Sequence, residues 1–283
     1  MQELDRKRKL KDEDEGVATT VGTIMALLIF LSVLSLITQQ YVPVWIHDSE
    51  AHHMQEVRGD FGEFKSNIDD LIIRDDIDYP QYSSLKLGTE GIPIFANPSR
   101  GRLTYEPSGE NSNVSMRFTS ADEGDLWRNS SGNLEYTAQN REFEEQSLIY
   151  EQGAIILEQE DEGAIMRARP HYRFREDRAS ITMVNFIGLS EDLVGNARVD
   201  INLERTSMDT GTFNLDDVED NFNLTMGTSY EEAWYNYFVN ETALEEDEVK
   251  RGEGYVKIGG NNGGYSPDEI EFTKISVLVS ITV

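Results

Sequence analysis

The chain has 283 residues, no cysteine, and 53 acidic against 25 basic residues, which gives a formal net charge of −28 at pH 7. A surface this acidic repels nucleic acid, so the composition argues against a nucleic-acid-binding protein. Without cysteine the chain forms no disulfide and has no thiolate chemistry, so its stability has to come mainly from packing.

A charged leader, residues 1–16, precedes an uncharged run that covers residues 17–46. As a helix, those 30 residues would be about 45 Å long, which exceeds the ~30 Å hydrocarbon core of a bilayer. The leader holds Lys or Arg at positions 6–9 and 11, so the positive-inside rule places it in the cytoplasm and the bulk of the chain outside. The sequence therefore predicts a membrane protein with an external head.

The uncharged run is predicted to be a retained anchor rather than a cleaved secretory signal. A secretory signal has a shorter apolar core followed by small residues at a cleavage site. Here the run passes into Thr38–Gln40, and Tyr41 and Trp45 stand where aromatic residues of a membrane interface would lie. We therefore expect a leader at 1–16, a transmembrane or assembly helix at 17–46, an amphipathic helical stalk at 47–79 and an extracellular β-rich head at 80–283.

The segment after the anchor has the spacing of an amphipathic helix, and the rest has the texture of an antiparallel β structure. Apolar residues recur every three or four positions from Met54 to Ile72, and Pro43 should kink or break the helix before them. After Pro80, short alternating segments are separated by Gly, Asn, Ser and Pro. The predicted strands are 103–106, 114–119, 133–137, 154–157, 163–169, 180–186, 199–206, 255–258 and 272–283.

The predicted fold class is α+β, with a long N-terminal helix, a β-sandwich-like head and one short helix. That short helix should begin at a capping box formed by Ser229 and Glu232, because aromatic residues follow at helical spacing. The last segment alternates from Ile275 to Val283, which favours a half-buried strand within the head; a strand that completes a neighbour's sheet is the alternative.

The segment Gly16-Val-Ala-Thr-Thr-Val-Gly-Thr-Ile-Met resembles the start of archaeal type IV pilin-like proteins. The resemblance implies a class III signal, cut by a prepilin peptidase between Gly16 and Val17, and a hydrophobic helix that becomes the core of a filament. Segments 149–157 and 164–170 are also similar to uncharacterised euryarchaeal surface proteins with this kind of N-terminus. The residues expected to carry assembly are Val21, Gly22, Ile24, Ala26, Leu28, Leu31 and Leu34.

Small residues in the apolar run suit both readings of its function. Gly22, Ala26, Ser32 and Ser35 would permit close approach between helices of a filament, yet they are equally ordinary in a lone anchor. The expected function is a structural or minor subunit of an archaeal pilus-like surface filament, with the membrane, the peptidase, the assembly machinery and other pilin subunits as partners. The alternative is a single-pass anchored extracellular binding module, such as an envelope component or a solute or glycan receptor.

The remaining candidate sites lie in the predicted outer part. Sequons begin at Asn113, Asn129, Asn223 and Asn240, and glycosylation is expected at one or more of them. Acidic clusters at 75–78, 122–125, 158–162, 216–220 and 245–248 are interpreted as solvated surface, with a structural Ca²⁺ as the alternative.

Histidine, arginine and catalytic motifs complete the sequence interpretation. We expect His47, His52 and His53 to lie at a membrane or subunit boundary, and no metal site is predicted there. The basic segment 167–175 should form intramolecular ion pairs, with a subunit contact or a carboxylated sugar as the alternative, while its aromatic residues face inward. Because no catalytic motif or phosphate loop is found, we expect no enzyme and no cofactor.

Overall fold

The computed structural model describes residues 2–74, 79–109, 111–160, 162–215, 221–260 and 264–283, with side chains from Ala18 onward. Helix α1 covers Gln2–Leu36, a π-helical turn covers Ile37–Tyr41, and α2 covers Val42–Ile73. A third helix, α3, covers Glu231–Glu241, and a 3-10 turn follows at Glu246–Glu248. The expected class, α+β with one long N-terminal helix and a β-rich head, is confirmed.

Pro43 does not break the long helix. The residues on either side of the π-helical turn keep right-handed helical dihedral angles, and the Val42 N–H donates to the carbonyl of Ile37. Because proline has no N–H and clashes with the carbonyl four residues earlier, a regular helix would leave the Gln39 carbonyl crowded and without its partner. The wider turn shifts the hydrogen-bond ladder by one residue just before Pro43, so the helical path continues.

In the described ranges sixteen strands form three sheets. The strands are β1 (Gln81–Lys86), β2 (Arg100–Glu106), β3 (Ser112–Ser120), β4 (Gly124–Ser131), β5 (Asn133–Gln139), β6 (Gln146–Glu151), β7 (Ala154–Gln159), β8 (Gly163–Ala168), β9 (Tyr172–Phe174), β10 (Arg178–Ile187), β11 (Glu191–Gly195), β12 (Arg198–Asn214), β13 (Phe222–Thr228), β14 (Val249–Gly252), β15 (Tyr255–Gly259) and β16 (Glu269–Thr282). Sheet 1 has the order β1-β12-β16-β10-β9, sheet 2 the order β11-β2-β5-β6-β7-β8, and sheet 3 the order β14-β15-β13-β3-β4.

The last strand lies in the middle of sheet 1. It pairs antiparallel with β12 and parallel with β10, and the other described strand pairs are antiparallel. Both hydrogen-bonding edges of Glu269–Leu278 are therefore occupied within the chain. The interpretation of β16 as a strand of the head is confirmed, and the alternative that it completes a neighbour's sheet is wrong for this stretch.

Two hydrophobic cores hold the head together. The first packs sheet 3 and α3 against parts of the other sheets, and it contains Trp234 and Phe222. The second packs α2 against sheets 1 and 2, and one face of α2 contributes Met54, Val57, Phe61, Phe64, Ile68 and Leu71. The amphipathic face predicted from the sequence is confirmed, and that part of the helix is built into the core that it shares with the sheets.

The predicted capping box of α3 is wrong. The helix begins after Tyr230, and no side chain caps the N-terminus there. Thr228 instead holds the segment that leads into α3. Its hydroxyl accepts a hydrogen bond of 3.0 Å from the Tyr230 N–H and donates one of 2.8 Å to Glu151. The threonine is occupied in joining the start of α3 to a buried carboxylate, so Ser229 has no capping role.

Candidate anchoring helix and surfaces of the head

The part of the long helix from Ala18 to Tyr41 is mostly apolar and mostly exposed. A continuous helix of 56 residues, Ala18–Ile73, is long and apolar enough to cross a membrane, and its most apolar window is not buried at all. Of the residues predicted to carry assembly, Val21, Gly22, Ile24, Ala26, Leu28 and Leu31 are exposed, and Leu34 is half-buried. The geometry suggests membrane anchoring, because lipid or other helices would cover such a surface.

Three hydroxyl groups of this segment are bonded within the helix itself. Hydroxyl groups donate to carbonyls one turn earlier, from Thr23 to Thr19 at 2.9 Å and from Ser32 to Leu28 at 2.7 Å. Thr38 donates to the carbonyl of Leu34 at 3.0 Å. A hydroxyl bonded in this way can enter hydrocarbon without an unpaired donor.

A narrow strip of the exposed helix consists of small residues. Ala18, Gly22 and Ala26 are four residues apart, so they lie one above another on the same side. A Cβ built on Gly22 would meet nothing within 4 Å. This strip lets another helix approach closely. The predicted cleavage between Gly16 and Val17 falls in α1, where side chains are not described, and it stays a prediction.

Glu50 attaches the N-terminal part of α2 to the head. Its side chain is fully buried and accepts a hydrogen bond from the hydroxyl of Ser99. It also accepts three hydrogen bonds of 2.9 Å from the N–H groups of Arg141, Glu142 and Phe143. Burial alone would raise the pKa of this carboxyl, but the donors outweigh it and lower the pKa below the ordinary value of 4.5. The ionised carboxylate therefore pins two loops of the head to the helix.

The three histidines predicted at a boundary have different environments. His53 is buried, its Nε2 lies 3.1 Å from the Tyr136 hydroxyl, and that hydroxyl donates to the carbonyl of Leu87 at 2.8 Å. Burial, as the main cause, lowers the pKa of His53. The boundary prediction is wrong for His53, which belongs to the helix–head interface, whereas His47 and His52 are exposed.

The upper end of α2 is held by charged side chains. Arg205 is buried and donates to the carbonyl of Leu71 at 2.7 Å and to that of Arg74. A cation is favourable at this point because the last carbonyls of a helix carry partial negative charge. Nearby, Asp69 lies 2.9 Å from His171 and 3.0 Å from Lys65. Helix α2 is thus attached to the head at both ends.

The predicted ion pairing of the basic segment 167–175 is confirmed at Arg169, which pairs with Glu241 of α3. His171 forms a hydrogen bond of 2.9 Å with Asp69. Tyr172 and Phe174 are buried while Arg173 and Arg175 are exposed, as the alternation predicted. The segment therefore joins the long helix, the sheets and α3.

The outer face of sheet 3 carries three of the four sequons. Asn113 lies on β3, Asn129 on β4 and Asn223 on β13, all on the solvent side of the sheet. Asn240 lies on the exposed side of α3. Glycosylation stays a prediction, and the three sheet positions share one accessible surface.

A groove on the same face contains an exposed tryptophan. Trp127 is 73 % exposed, and the groove has a volume of about 430 Å³. Arg117 and Asp125 form an ion pair of 2.8 Å within it, and the pair lowers the pKa of Asp125. The groove is lined by Ser115, Arg117, Asp125, Leu126, Trp127 and Asn223. Aromatic and polar groups together suit a flat polar ligand such as a sugar ring. Sequence reasoning missed β4, although Leu126 and Trp127 were a weak signal for it.

The acidic clusters give no metal site in the described part of the chain, where no three His, Asp or Glu side chains are grouped to hold an ion. Glu145, Glu158 and Glu160 line a surface hollow of about 330 Å³ together with Ser147. Burial, as the main cause, raises the pKa of Glu158. The clusters at 75–78 and 216–220 lie outside the described residues, as does residue 161.

Comparisons with known proteins identify a family but no function. A model of a family of unknown function, DUF7289, matches residues 97–275, which is more than half of the chain. The chain belongs to the DUF7289 family. No curated protein and no solved structure matches it. The DUF7289 match covers the strands from β2 into β16 and lies wholly in the head.

Proposed function

We propose that this DUF7289 protein is a structural or minor subunit of an archaeal type IV pilus-like surface filament. In this proposal a prepilin peptidase removes residues 1–16, and the helix that begins at Val17 stays in the membrane until the assembly machinery transfers it to the filament. The helices form the polymer core and the acidic heads form the outer surface, where they serve adhesion or spacing. The protein has no catalytic role and needs no cofactor.

The observation that carries this proposal is that one helix has two different environments. Residues 21–31 are exposed and apolar, whereas Met54, Phe61 and Ile68 are buried in the head. A simple lipid anchor needs only the exposed apolar segment. A filament subunit needs both the exposed apolar segment and the segment buried in the head, because the position of each head in the polymer is fixed only if its core helix is rigidly attached to it. The strip of Ala18, Gly22 and Ala26 adds a surface suited to helix packing.

The acidic head agrees with a role at the outside of a polymer. A chain with a net charge of −28 repels its own copies in solution, which keeps unassembled heads soluble. Screening by salt shortens the range of that repulsion to about 10 Å at 0.1 M ionic strength. Apolar contacts between helices can then hold subunits together while the heads remain separated by charge.

The test is mass spectrometry of the N-terminal peptide from membranes and from sheared surface material. We expect a mature N-terminus at Val17 in the sheared fraction. Gly16→Leu should leave the leader attached and remove the protein from that fraction. Gly22→Leu should leave cleavage unchanged but reduce the sheared fraction, and Val33→Leu, which changes a residue that is already bulky, is the control. An intact Met1 found in membranes and absent from sheared material would overturn the proposal.

A second candidate function is an anchored extracellular binding module, and the groove beside Trp127 favours it. A large aromatic side chain that is 73 % exposed next to an ion pair offers a surface on which a sugar or a similar solute can stack. In this case the purified full-length chain in detergent should bind glycans as a monomer. Trp127→Ala should abolish that binding and leave the unfolding midpoint unchanged, because so little of the ring is buried.

A further inference from the structure

A short apolar turn projects from the head between β1 and β2. Its residues, Gly91-Ile-Pro-Ile-Phe-Ala96, close through hydrogen bonds from the N–H groups of Phe95 and Ala96 to the carbonyl of Ile92. The side chain of Ile94 is 100 % exposed. Its φ angle is +73°, a region that β-branched residues rarely adopt. Burial within the chain therefore does not explain why isoleucine stands at the tip.

Contacts along α2 place this turn at the end of the head that faces the anchor. Strand β1 runs down the helix, since Asn67 bonds to the Tyr82 carbonyl at 3.1 Å while Leu87 is linked through Tyr136 to His53. The chain returns at Ser99, which bonds to Glu50. The turn therefore begins near Glu50 and lies at the end of the head that is closer to the uncharged run.

The turn is long enough to reach the end of the anchor. Thr89 and Ser99 are bonded to each other, and four to five residues on each side of the tip can span at most about 15 Å. Along the helix, the nine residues from Glu50 back to Tyr41 cover about 13 Å. Burial along the helix changes near this level, since Val42 is 6 % exposed and Tyr41 is 52 % exposed. The length of the loop therefore allows the tip to lie at the level of Tyr41 and Trp45, the residues expected at the membrane interface.

Two arginines lie directly behind the turn. Arg100 and Arg141 line a hollow of about 610 Å³ together with Asn97, Pro98, Ser99, Gln139 and Asn196. No carboxylate lines this hollow, and among the described residues neither guanidinium forms an ion pair. Glu90, which precedes the turn, is paired with Lys86 at 3.3 Å. In a chain with 53 acidic residues, two unpaired arginines beside three side-chain amides form a local site for an anion.

We propose that the head makes a second contact with the membrane, in which the turn at 91–96 enters the headgroup region and Arg100 and Arg141 bind lipid phosphate. An apolar tip backed by arginines matches the layers of a bilayer interface, with hydrocarbon below and phosphate above. The position beside the predicted end of the anchor gives continuity with the membrane that the helix enters. The contact fixes the tilt of the head on the lipid surface.

This inference rests on the membrane insertion of the helix and not on filament assembly. A protein that never assembles would still make the contact, and a pilin that leaves the bilayer would lose it. The two proposals therefore fail separately. Absence of the protein from sheared material overturns filament assembly, whereas quenching by lipid tests whether the head contacts the membrane.

The experiment uses the full-length chain in vesicles of phosphatidylcholine and phosphatidylglycerol. Because the protein has no cysteine, Ile94→Cys gives a single attachment point for an environment-sensitive fluorophore. The matched control is Leu189→Cys, at an apolar loop that is 80 % exposed at the opposite end of the β2–β11 pair. Seven residues of β2 separate the two ends by about 20 Å. A lipid with a nitroxide near its headgroup should quench the probe at position 94 about twofold more than the probe at 189.

The arginines are tested in the same labelled protein. The double variant Arg100→Gln with Arg141→Gln should reduce the quenching at position 94 by about half. The control is Arg173→Gln with Arg175→Gln, which removes the same charge from exposed positions near the C-terminal part of α2. This control should leave the quenching at position 94 unchanged. Equal quenching at positions 94 and 189 in protein that floats with the vesicles overturns the proposal. So does a blue-shifted probe at position 94 without lipid quenching, which would indicate a protein partner. If the protein does not float with the vesicles, both the membrane insertion of the helix and the proposed lipid contact of the head are overturned.

Discussion

Replacing Glu50 by glutamine should destabilise the protein strongly, although the two side chains have nearly the same shape. One carboxylate oxygen accepts from the Ser99 hydroxyl and the Arg141 N–H, and the other accepts from the N–H groups of Glu142 and Phe143. A glutamine has one oxygen and one NH₂ group. If the NH₂ group faces Glu142 and Phe143, both of their N–H groups lose their acceptor. If it faces Ser99 and Arg141, the Ser99 hydroxyl can turn and accept from it, so only the Arg141 N–H loses its acceptor.

The size of the effect follows from the N–H group left without an acceptor and from the loss of the charged acceptor. Leaving a donor unsatisfied costs about 1–3 kcal/mol, and hydrogen bonds to a charged acceptor are at the upper end, so Glu50→Gln should lower the free energy of unfolding by about 2–3 kcal/mol. The total for a domain is only about 5–15 kcal/mol. Urea unfolding of the full chain in detergent, followed by the fluorescence of the buried Trp234, measures this change.

Glu63→Gln is the matched control, because Glu63 is on the same helix with an exposed side chain. We expect this control to change the free energy of unfolding by less than about 0.5 kcal/mol. The pH dependence gives a second check. Because the folded pKa of Glu50 lies below 4.5, its contribution is complete above about pH 4.5 and is lost as the pH falls through the folded pKa. A loss of less than about 1 kcal/mol for Glu50→Gln at pH 7 would refute the reasoning.

Two further variants test other buried charges. Burial raises the pKa of Glu151 to about 7, so its ionisation lowers the stability of the fold as the pH rises from 4.5 to 7. Since Thr228 and Trp234 both donate to the same oxygen of Glu151, Glu151→Gln should keep both bonds and remove about 2–3 kcal/mol of pH dependence; urea unfolding from pH 4.5 to 8 checks this. Arg205→Met should cost about 2–3 kcal/mol at pH 7, because the last carbonyls of α2 lose their donor, whereas the exposed Arg198→Met should have little effect in the same assay.

The periodicity of α2 could be predicted from sequence, and the same periodicity also includes Glu50. The buried positions from Met54 to Leu71 alternate in steps of three and four, and the next step back is Glu50. A carboxylate at an apolar position of a helix is a signal for a specific partner. The partners themselves could not be predicted, because Ser99 and the loop at 141–143 are far away in the chain and meet Glu50 only after the sheets have formed.

Strands were predictable where one face is buried and alternation is strict. Strand β16 met that condition. Strand β13 also met it, since its buried Phe222, Leu224 and Met226 alternate with half-buried residues, yet it was missed among acidic and polar neighbours. The short strands β9 and β14 have three and four residues, too few for a periodic signal. The order of strands in the three sheets depends on distant pairings that no local pattern records.

Rigid attachment of the head and a second lipid contact have opposite consequences for assembly. Glu50 and Arg205 hold α2 to the head at both ends, so tilting the helix has to tilt the head as well. The π-helical turn at Ile37–Tyr41 lies between the exposed apolar part of the helix and the part of α2 that is attached to the head. If the helix leaves lipid for a filament as proposed, the proposed phosphate contacts of Arg100 and Arg141 have to break, while the hydrogen bonds of Glu50 stay intact. In that case the lipid contact of the head opposes extraction, and we expect the helix to bend at the π-helical turn when the contact is released.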